Sequence, residues 1–187
     1  MQLTIKNMVC DRCIKSVAGI FRSAGITPAA IRLGVVETEE AIPDATLDQL
    51  RNALEAEGFA IVDDQRARLV EQVKQLIIQL VHYGELDEMR GNLSDYLSRL
   101  LHKDYNYLSN LFSAVADTTI EQYFILQKTE KVKEWLVYDE LTLSEMAFRL
   151  GYSSVAHLSA QFKKMTGMTP SQFRKLKDHH RRQLDTI

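Results

Sequence analysis

Residues 142–174 carry the sequence TLSEMAFRLGYSSVAHLSAQFKKMTGMTPSQFR, from which the fold of the C-terminal half of the chain can be predicted. Thr142 followed by Glu145 is a capping box, the residue pair that closes the first turn of a helix. A glycine-containing turn at 151–152 breaks that helix, and a second helix follows as far as Gly167. Two helices joined by a short turn of this kind predict a helix-turn-helix.

A repeat with a period of 50 residues relates this stretch to the segment before it. Several positions are identical in the two copies without a gap, and two more are conservatively exchanged. The identical pairs are Leu93/Leu143, Ser94/Ser144, Arg99/Arg149, Leu100/Leu150, Leu108/Leu158, Ser109/Ser159, Phe112/Phe162 and Thr119/Thr169, and the exchanged pairs are Asp95/Glu145 and Tyr123/Phe173. Two copies are too few for a solenoid, so the repeat predicts two similar subdomains.

The second helix of copy two is the first candidate for reading DNA. Its apolar residues Leu158 and Phe162 face inward, which leaves small and polar residues outward, as a helix entering the major groove requires. His157 lies early on this helix and is expected to discriminate bases, whereas Arg174 and Lys177 only position the protein. The full set of candidates in copy two is Ser153, Ser154, Ala156, His157, Ser159, Ala160, Lys163, Lys164, Arg174 and Lys177.

The equivalent segment of copy one, residues 104–115, contains one acidic and no basic residue. Phosphate contacts come chiefly from Lys and Arg, so this copy is expected to bind DNA weakly on its own. Its candidates for contacting bases are Tyr105, Asn106, Tyr107, Ser109 and Asn110. The alternative is a structural helix that never touches bases.

These motifs resemble the signature of the AraC/XylS transcription regulators over about residues 85–178. The resembling segments are LSEMA (143–147), GYSS (151–154), HLS (157–159), FKK (162–164) and GMTPSQFR (167–174). The resemblance implies two helix-turn-helix units, about 92–117 and 142–167, that insert recognition helices into successive major-groove faces. It also implies a joining helix over 119–138, in which the buried residues would be Ile120, Tyr123, Phe124, Val132, Trp135 and Leu136. Copy one departs from the family pattern at Asp117, where glycine is usual.

The first 65 residues predict a small α/β unit. Alternation of polar and apolar residues over 2–6 is typical of a half-buried strand, and apolar residues recur at helical spacing over 11–24. The predicted elements are a strand at 2–6, a helix at 11–24, an extended run at 31–36, at best a short strand at 39–42, a helix from a cap at Thr46 to Gly58, and a strand at 59–62. This βαββαβ order indicates a ferredoxin-like unit. The fold class is therefore α+β, with this unit followed by an all-α double helix-turn-helix domain.

Cys10 and Cys13 form a C-x-x-C motif at the N-terminus of the first predicted helix. The helix dipole there is expected to lower the pKa of both thiols and to favour thiolate. Two thiolates at this spacing can hold one soft ion such as Cu(I), or provide half of a Zn site. No cofactor is otherwise required.

The surroundings of this motif resemble a heavy-metal-associated domain. Met8 precedes the cysteines and Glu57-Gly58-Phe59 precedes the last strand, as in that family, whereas Asn7 and Val9 replace the glycine and threonine of its motif. The resemblance implies metal binding. A thiol redox sensor and an inherited fold with an idle site are the alternatives.

A linker helix is predicted over 66–84, between the α/β unit and the repeats. Its residues Leu69, Val73, Leu76, Leu80 and Tyr83 follow 4-3-4-3 spacing, a short heptad seam. One interpretation is a helix packed on its own core. The other is a homodimer contact through Leu69, Val73, Leu76 and Leu80.

Composition limits the remaining choices. The chain has 187 residues, a net charge of −2 and 45% hydrophobic residues, as in ordinary soluble proteins. Residues 138–187 hold eight Lys/Arg against five Asp/Glu, including a basic tail at 179–187, which permits nucleic-acid binding. No signal peptide or membrane-length apolar run is present, and the paired cysteines suit a reducing compartment, so we expect a cytoplasmic protein without membrane contact.

The predicted function is sequence-specific DNA binding by a transcription regulator of the AraC type. Double-stranded DNA is the expected partner, RNA polymerase is a further candidate, and Cys10 and Cys13 would make the regulator responsive to a soft metal or to thiol state. The sequence has no phosphate-binding loop and no G-x-S-x-G, so no enzyme is predicted. The alternative is a metal-carrying chaperone or interaction protein whose helical C-terminal part binds protein.

Overall fold

The computed structural model describes residues 1–84, 86, 91–176 and 184. The chain divides into two units, Met1–Gln75 and Leu76–Ile187. Lys177 and most of the predicted basic tail lie outside the described residues. Within the described part of the chain, no helix is long and apolar enough to cross a membrane.

The elements of the N-terminal unit follow the order βαββαβ, although its second and third strands are not the segments predicted for them. Its elements are β1 (Gln2–Lys6), α1 (Asp11–Ser23), β2 (Ala30–Arg32), β3 (Val35–Glu37), α2 (Asp44–Ala56) and β4 (Ala60–Val62). The four strands form one sheet in the order β2-β3-β1-β4, and each neighbouring pair is antiparallel. Central β1 pairs Leu3 with Val36 on one side and Ile5 with Ile61 on the other.

Three details of the predicted strands and helices are wrong. The extended run at 31–36 is not one strand, because Gly34 adopts φ +76° and the turn at Leu33–Gly34 reverses the chain between β2 and β3. Residues 39–42 form no strand, although Ile42 is buried in the core. Helix α2 begins at Asp44 with Pro43 as N-cap, so Thr46 lies inside the helix and does not cap it.

The core of the N-terminal unit lies between the sheet and its two helices. Its side chains are apolar and buried, and α1 supplies Val17 and Phe21 while α2 supplies Leu50 and Leu54. The complete cluster is Leu3, Ile5, Met8, Val17, Phe21, Val36, Ile42, Leu50, Leu54 and Phe59. Met8 of the C-x-x-C loop is fully buried in it, which anchors the loop that carries the cysteines.

Helix α3 (Gln65–Ile78) continues directly into a π-helical turn at Gln79–Tyr83. The sequence predicts a single regular helix here, and spacing alone does not reveal the wider turn. Of the four residues proposed as a dimer stripe, Val73 and Leu80 are buried within the single chain, while Leu69 and Leu76 are half-buried. This burial favours packing on the chain's own core, and a homodimer stays a prediction.

Among the described residues of the C-terminal unit there are six further helices, α4 (Leu93–Leu101), α5 (Tyr105–Ala116), α6 (Ile120–Tyr138), α7 (Leu143–Arg149), α8 (Val155–Thr166) and α9 (Pro170–Arg174). The starts of α4, α5 and α6 precede those of α7, α8 and α9 by the 50 residues of the sequence repeat. All six N-cap side chains accept a hydrogen bond from the backbone N–H three residues on; the caps are Asn92, Asp104, Thr119, Thr142, Ser154 and Thr169. Capping of this kind fixes where each helix begins.

Candidate DNA interface

Helix α8 is the second helix of copy two, and its start is held by a local network. The Ser154 hydroxyl accepts the N–H of His157 at 3.1 Å, as an N-cap. The Ser153 hydroxyl lies 3.1 Å from His157 Nδ1, and the imidazole meets the Tyr152 ring edge-on at 5.3 Å. With Nδ1 engaged in this way, the orientation of the exposed His157 ring is fixed and Nε2 is left for another partner.

The two faces of α8 differ in chemistry as predicted. Leu158 and Phe162 are buried, and Phe162 packs edge-on against Phe173 of α9 at 5.6 Å. The candidates on the opposite side are exposed, except for half-buried Ser159. Those exposed residues are Ser153, Ser154, Ala156, His157, Ala160, Lys163 and Lys164. The structure therefore brings a histidine, two lysines and small side chains together on one accessible helix face.

Lys128 of α6 supports the turn that precedes α8, and sequence reasoning did not identify it. Its Nζ donates to the Leu150 carbonyl at 3.0 Å and lies 3.9 Å from the centre of the Tyr152 ring. Burial lowers the pKa of Lys128 to about 8. The Tyr152 hydroxyl in turn donates to Gln161 Oε1 at 2.7 Å, which ties the turn to the middle of α8. In the sequence, Tyr152 of the GYSS segment is the only sign of these contacts between Lys128, the turn and α8.

Helix α6 is buried at polar as well as apolar positions. The expected apolar residues are buried, except that Phe124 is half-buried. In addition, Gln127, Thr129 and the ion pair of Glu130 with Lys133 (2.6 Å) are buried. Gln127 Oε1 lies 3.0 Å from Nε2 of His82 in the π-helical turn. Each of these polar groups has a specific partner, because burying it unpaired would cost free energy.

Helix α5 of copy one presents a neutral face. Leu108, Leu111 and Phe112 hold it on the core, while Asn106, Tyr107 and Asn110 are exposed and Ser109 is half-buried. Tyr105 is also half-buried and donates its hydroxyl to Glu121 of α6. Desolvation and this carboxylate raise the pKa of Tyr105. Its hydroxyl is thus committed within the protein and is less available to DNA than the other candidates.

Arg174 is also engaged within the protein. Its Nε lies 3.5 Å from Asp139 Oδ1, and a terminal nitrogen donates to the Leu141 carbonyl at 3.4 Å. These contacts attach α9 to the turn between α6 and α7. A phosphate contact by Arg174 would have to share or replace this ion pair.

The thiol pair belongs to the N-terminal unit. Cys10 is the N-cap of α1 without a side-chain capping bond, and its Sγ lies 3.4 Å from that of Cys13. Burial raises the pKa of Cys13, so the predicted lowering by the helix dipole is wrong for this thiol. Asn7 takes φ +70° and donates from Nδ2 to the Gly58 carbonyl at 2.8 Å. Asparagine adopts this left-handed conformation more readily than most residues, which explains how it can replace glycine here.

Comparisons with known proteins agree with the geometry of the C-terminal unit. Residues 97–176 match the helix-turn-helix domain family. HTH-type transcriptional regulator YtdP of Bacillus subtilis (strain 168) is 28% identical over 137 residues, covering 71% of this chain and 17% of that protein. HTH-type transcriptional regulator SAS0078 of Staphylococcus aureus (strain MSSA476) is 25% identical over 163 residues, covering 71% of this chain and 22% of that protein.

A solved structure has the same fold. The C-terminal domain of AraT, a response regulator from Geobacillus stearothermophilus, superposes with a TM-score of 0.50 at 24% identity, covering 63% of this chain and 97% of that domain. Residues 97–176 form a helix-turn-helix domain. The comparisons support the AraC-type resemblance within this helix-turn-helix domain. The chain spans only 17–22% of the length of the two curated relatives.

Proposed function

We propose that the chain is a sequence-specific DNA-binding transcription regulator of the AraC type, in which α8 enters a major groove. The observation that carries the proposal is the exposed face of α8, where an oriented His157 lies one to two turns before Lys163 and Lys164. Histidine and the small residues beside it face base edges, whereas the lysines contact phosphates. The match to the helix-turn-helix family supports this assignment.

Copy one has a secondary role in this proposal. Exposed Asn106, Tyr107 and Asn110 offer hydrogen bonds to a neighbouring groove but no positive charge. Affinity then comes mainly from copy two, since phosphate contacts dominate binding. RNA polymerase and a homodimer through Leu69, Val73, Leu76 and Leu80 remain proposed partners.

The test is a salt titration of binding to genomic DNA fragments enriched by the purified protein. With about 4–6 phosphates neutralised, log K should fall with log[salt] at a slope of about −4 to −5. Lys163→Ala/Lys164→Ala should flatten the slope by about one to two units, while Lys15→Ala, at an exposed position of α1, should leave it unchanged. A wild-type slope near zero would refute DNA binding.

For the N-terminal unit we propose a ferredoxin-like fold of the heavy-metal-associated type that binds one soft ion, Cu(I) before Zn. The Sγ atoms of Cys10 and Cys13 are 3.4 Å apart, so both can reach one ion. Among the described residues no group of three or more His, Cys, Asp or Glu could complete a larger site. Two sulfur ligands suit Cu(I), which accepts near-linear coordination, better than tetrahedral Zn.

Anaerobic titration tests this site. Wild-type protein should bind one Cu(I) per chain, and Cys10→Ser/Cys13→Ser should bind none. If the ion is the effector, DNA affinity should change by about 1–3 kcal/mol on binding. Copper binding without DNA binding would instead favour the metal-carrying alternative. If the wild-type protein binds no Cu(I), the site formed by Cys10 and Cys13 is idle.

A further inference from the structure

The C-terminal unit contains a cleft that the DNA interface does not use. Its volume is about 750 Å³, within the range of about 300–1,000 Å³ that is usual for small-molecule sites. The π-helical turn, α6 and α7 form its walls, and every lining residue belongs to the C-terminal unit. None of the candidate DNA-contacting residues that the structure describes lines it.

The walls present three aromatic side chains, Tyr83, Trp135 and Phe148. Trp135 is buried, whereas Phe148 is 68% exposed and Tyr83 is 53% exposed. Ser98 occupies the position of Phe148 in copy one, so the helix-turn-helix fold does not require an aromatic residue there. Exposed aromatic rings at a concave surface are the usual means of holding a planar apolar ligand.

The polar lining of the cleft includes two cationic side chains and one carboxylate, beside Ser144 and His82. Arg149 and Lys131 both line it, together with Glu145. The Glu145 carboxylate is already occupied, because Oε2 accepts the backbone N–H of Thr142 at 2.8 Å and its hydroxyl at 2.7 Å. These bonds lower the pKa of Glu145, with a smaller contribution from Arg149.

The two cations differ in what they already contact. Lys131 Nζ lies 3.1 Å from Glu134 and 5.3 Å from the centre of the Trp135 ring. Arg149 is exposed and forms no ion pair with any residue that the structure describes. A planar guanidinium without a bound carboxylate is the side chain best suited to bind one in bidentate fashion.

We propose that this cleft binds a small aromatic carboxylate, with its ring against Phe148, Tyr83 and Trp135 and its carboxylate on Arg149. Leu150 also lines the cleft, and its carbonyl accepts a hydrogen bond from Lys128, whose Nζ lies 3.9 Å from the centre of the Tyr152 ring. A ligand in the cleft would therefore contact the turn that orients α8 and could change DNA affinity. This effect on DNA affinity rests on the proposed function. Ligand binding itself does not depend on it.

The single tryptophan of the chain provides the readout. Full-length protein labelled with [15N]tryptophan should show one indole N–H cross-peak from Trp135, and benzoate and 2-naphthoate should shift it in a saturable manner below about 5 mM. Benzamide, the neutral analogue of benzoate, should bind at least about tenfold more weakly, since it lacks the charge-assisted bond.

Copy one supplies matched controls. Arg149→Gln should weaken benzoate binding by at least about tenfold, whereas Arg99→Gln removes the same charge from the equivalent position and should change nothing. Phe148→Ser introduces the residue of copy one at an exposed site and should weaken 2-naphthoate more than benzoate. The proposal is overturned if neither acid shifts the Trp135 peak, if benzamide binds as well as benzoate, or if Arg149→Gln binds like Arg99→Gln. Because no DNA is present, these outcomes are independent of the salt titration.

Discussion

The two copies of the repeat share their framework and differ in their surfaces. In each, an aromatic pair at equivalent positions locks the second helix to the one that follows: Phe112 with Tyr123 at 5.7 Å, and Phe162 with Phe173 at 5.6 Å. Caps also begin the helices at equivalent positions. The outward residues, by contrast, are neutral in copy one and include Lys163 and Lys164 in copy two. Buried packing and capping therefore preserve the fold, while the exposed face is free to specialise.

The largest expected effect tests whether the two cores are equally essential. Phe162→Ala and Phe112→Ala each remove a buried ring, and each should lower the free energy of unfolding by about 3–5 kcal/mol. Urea unfolding monitored by circular dichroism measures this loss. Exposed Tyr107→Ala is the control and should change stability by less than about 0.5 kcal/mol. If only one of the two variants loses stability, the aromatic pair of the other copy does not stabilise the fold.

The second prediction sharpens the difference in surface chemistry. His157 and Tyr107 occupy equivalent positions, but only His157 is oriented by a serine and an aromatic neighbour. His157→Ala should lose about 1–3 kcal/mol on the preferred DNA site and little on random DNA. Tyr107→Ala should lose less on that site. Equal losses of His157→Ala on both DNAs, measured by fluorescence anisotropy, would show that the residue contacts only the backbone.

Sequence predicts the parts of this molecule that local signals determine. Thr142 with Glu145 predicted a helix start, which the observed capping box confirms. Gly167 predicted a helix end, and it is the observed C-cap of α8, with φ +81°. The buried support of Lys128 was missed, because a lysine in the middle of a helix carries no sign of the carbonyl and ring that meet it from 22 and 24 residues away. The turn at Gly34 was missed for a related reason, since an apolar run on both sides of a glycine fits one strand as well as two.

The candidate interface divides in the same way. Helical spacing was enough to separate buried Leu158 from exposed His157 on α8. It was not enough to show that Tyr105 and Arg174 are already bonded to Glu121 and Asp139, because those partners lie on other elements. Spacing along one helix predicts which face is exposed, whereas competition for an exposed group depends on tertiary contacts.

The third prediction concerns Lys128, which supports the turn of copy two before α8. Burial places the pKa of folded Lys128 at about 8, below its value of about 10.5 in the unfolded chain. Between these values the unfolded chain holds a proton that the folded chain has released, so the free energy of unfolding rises with pH. The rise from pH 8 to 9.5 should be about 1–2 kcal/mol.

Lys128→Met should remove this rise, while Lys103→Met, at an exposed position in copy one, should retain it. Urea unfolding at a series of pH values provides the comparison. If the free energy of unfolding of Lys128→Met depends on pH as that of the wild type does, Lys128 stays charged in the folded protein. Its charge would then be stabilised by the Tyr152 ring and the Leu150 carbonyl.

The smallest effect comes from exchanging the residues that end α5 and α8. Asp117 and Gly167 are equivalent C-caps, and both are left-handed, with φ of +52° and +81°. Among the described residues no neighbouring atom lies within 4 Å of a Cβ built on Gly167, so Gly167→Asp should cost only backbone strain, about 1 kcal/mol or less. Asp117→Gly should relieve similar strain, partly offset by the greater flexibility of glycine in the unfolded chain, and gain a few tenths of a kcal/mol. If Gly167→Asp instead raises the free energy of unfolding measured in urea, then aspartate is no more strained than glycine at this helix end. In that case Asp117 carries no stability cost in copy one.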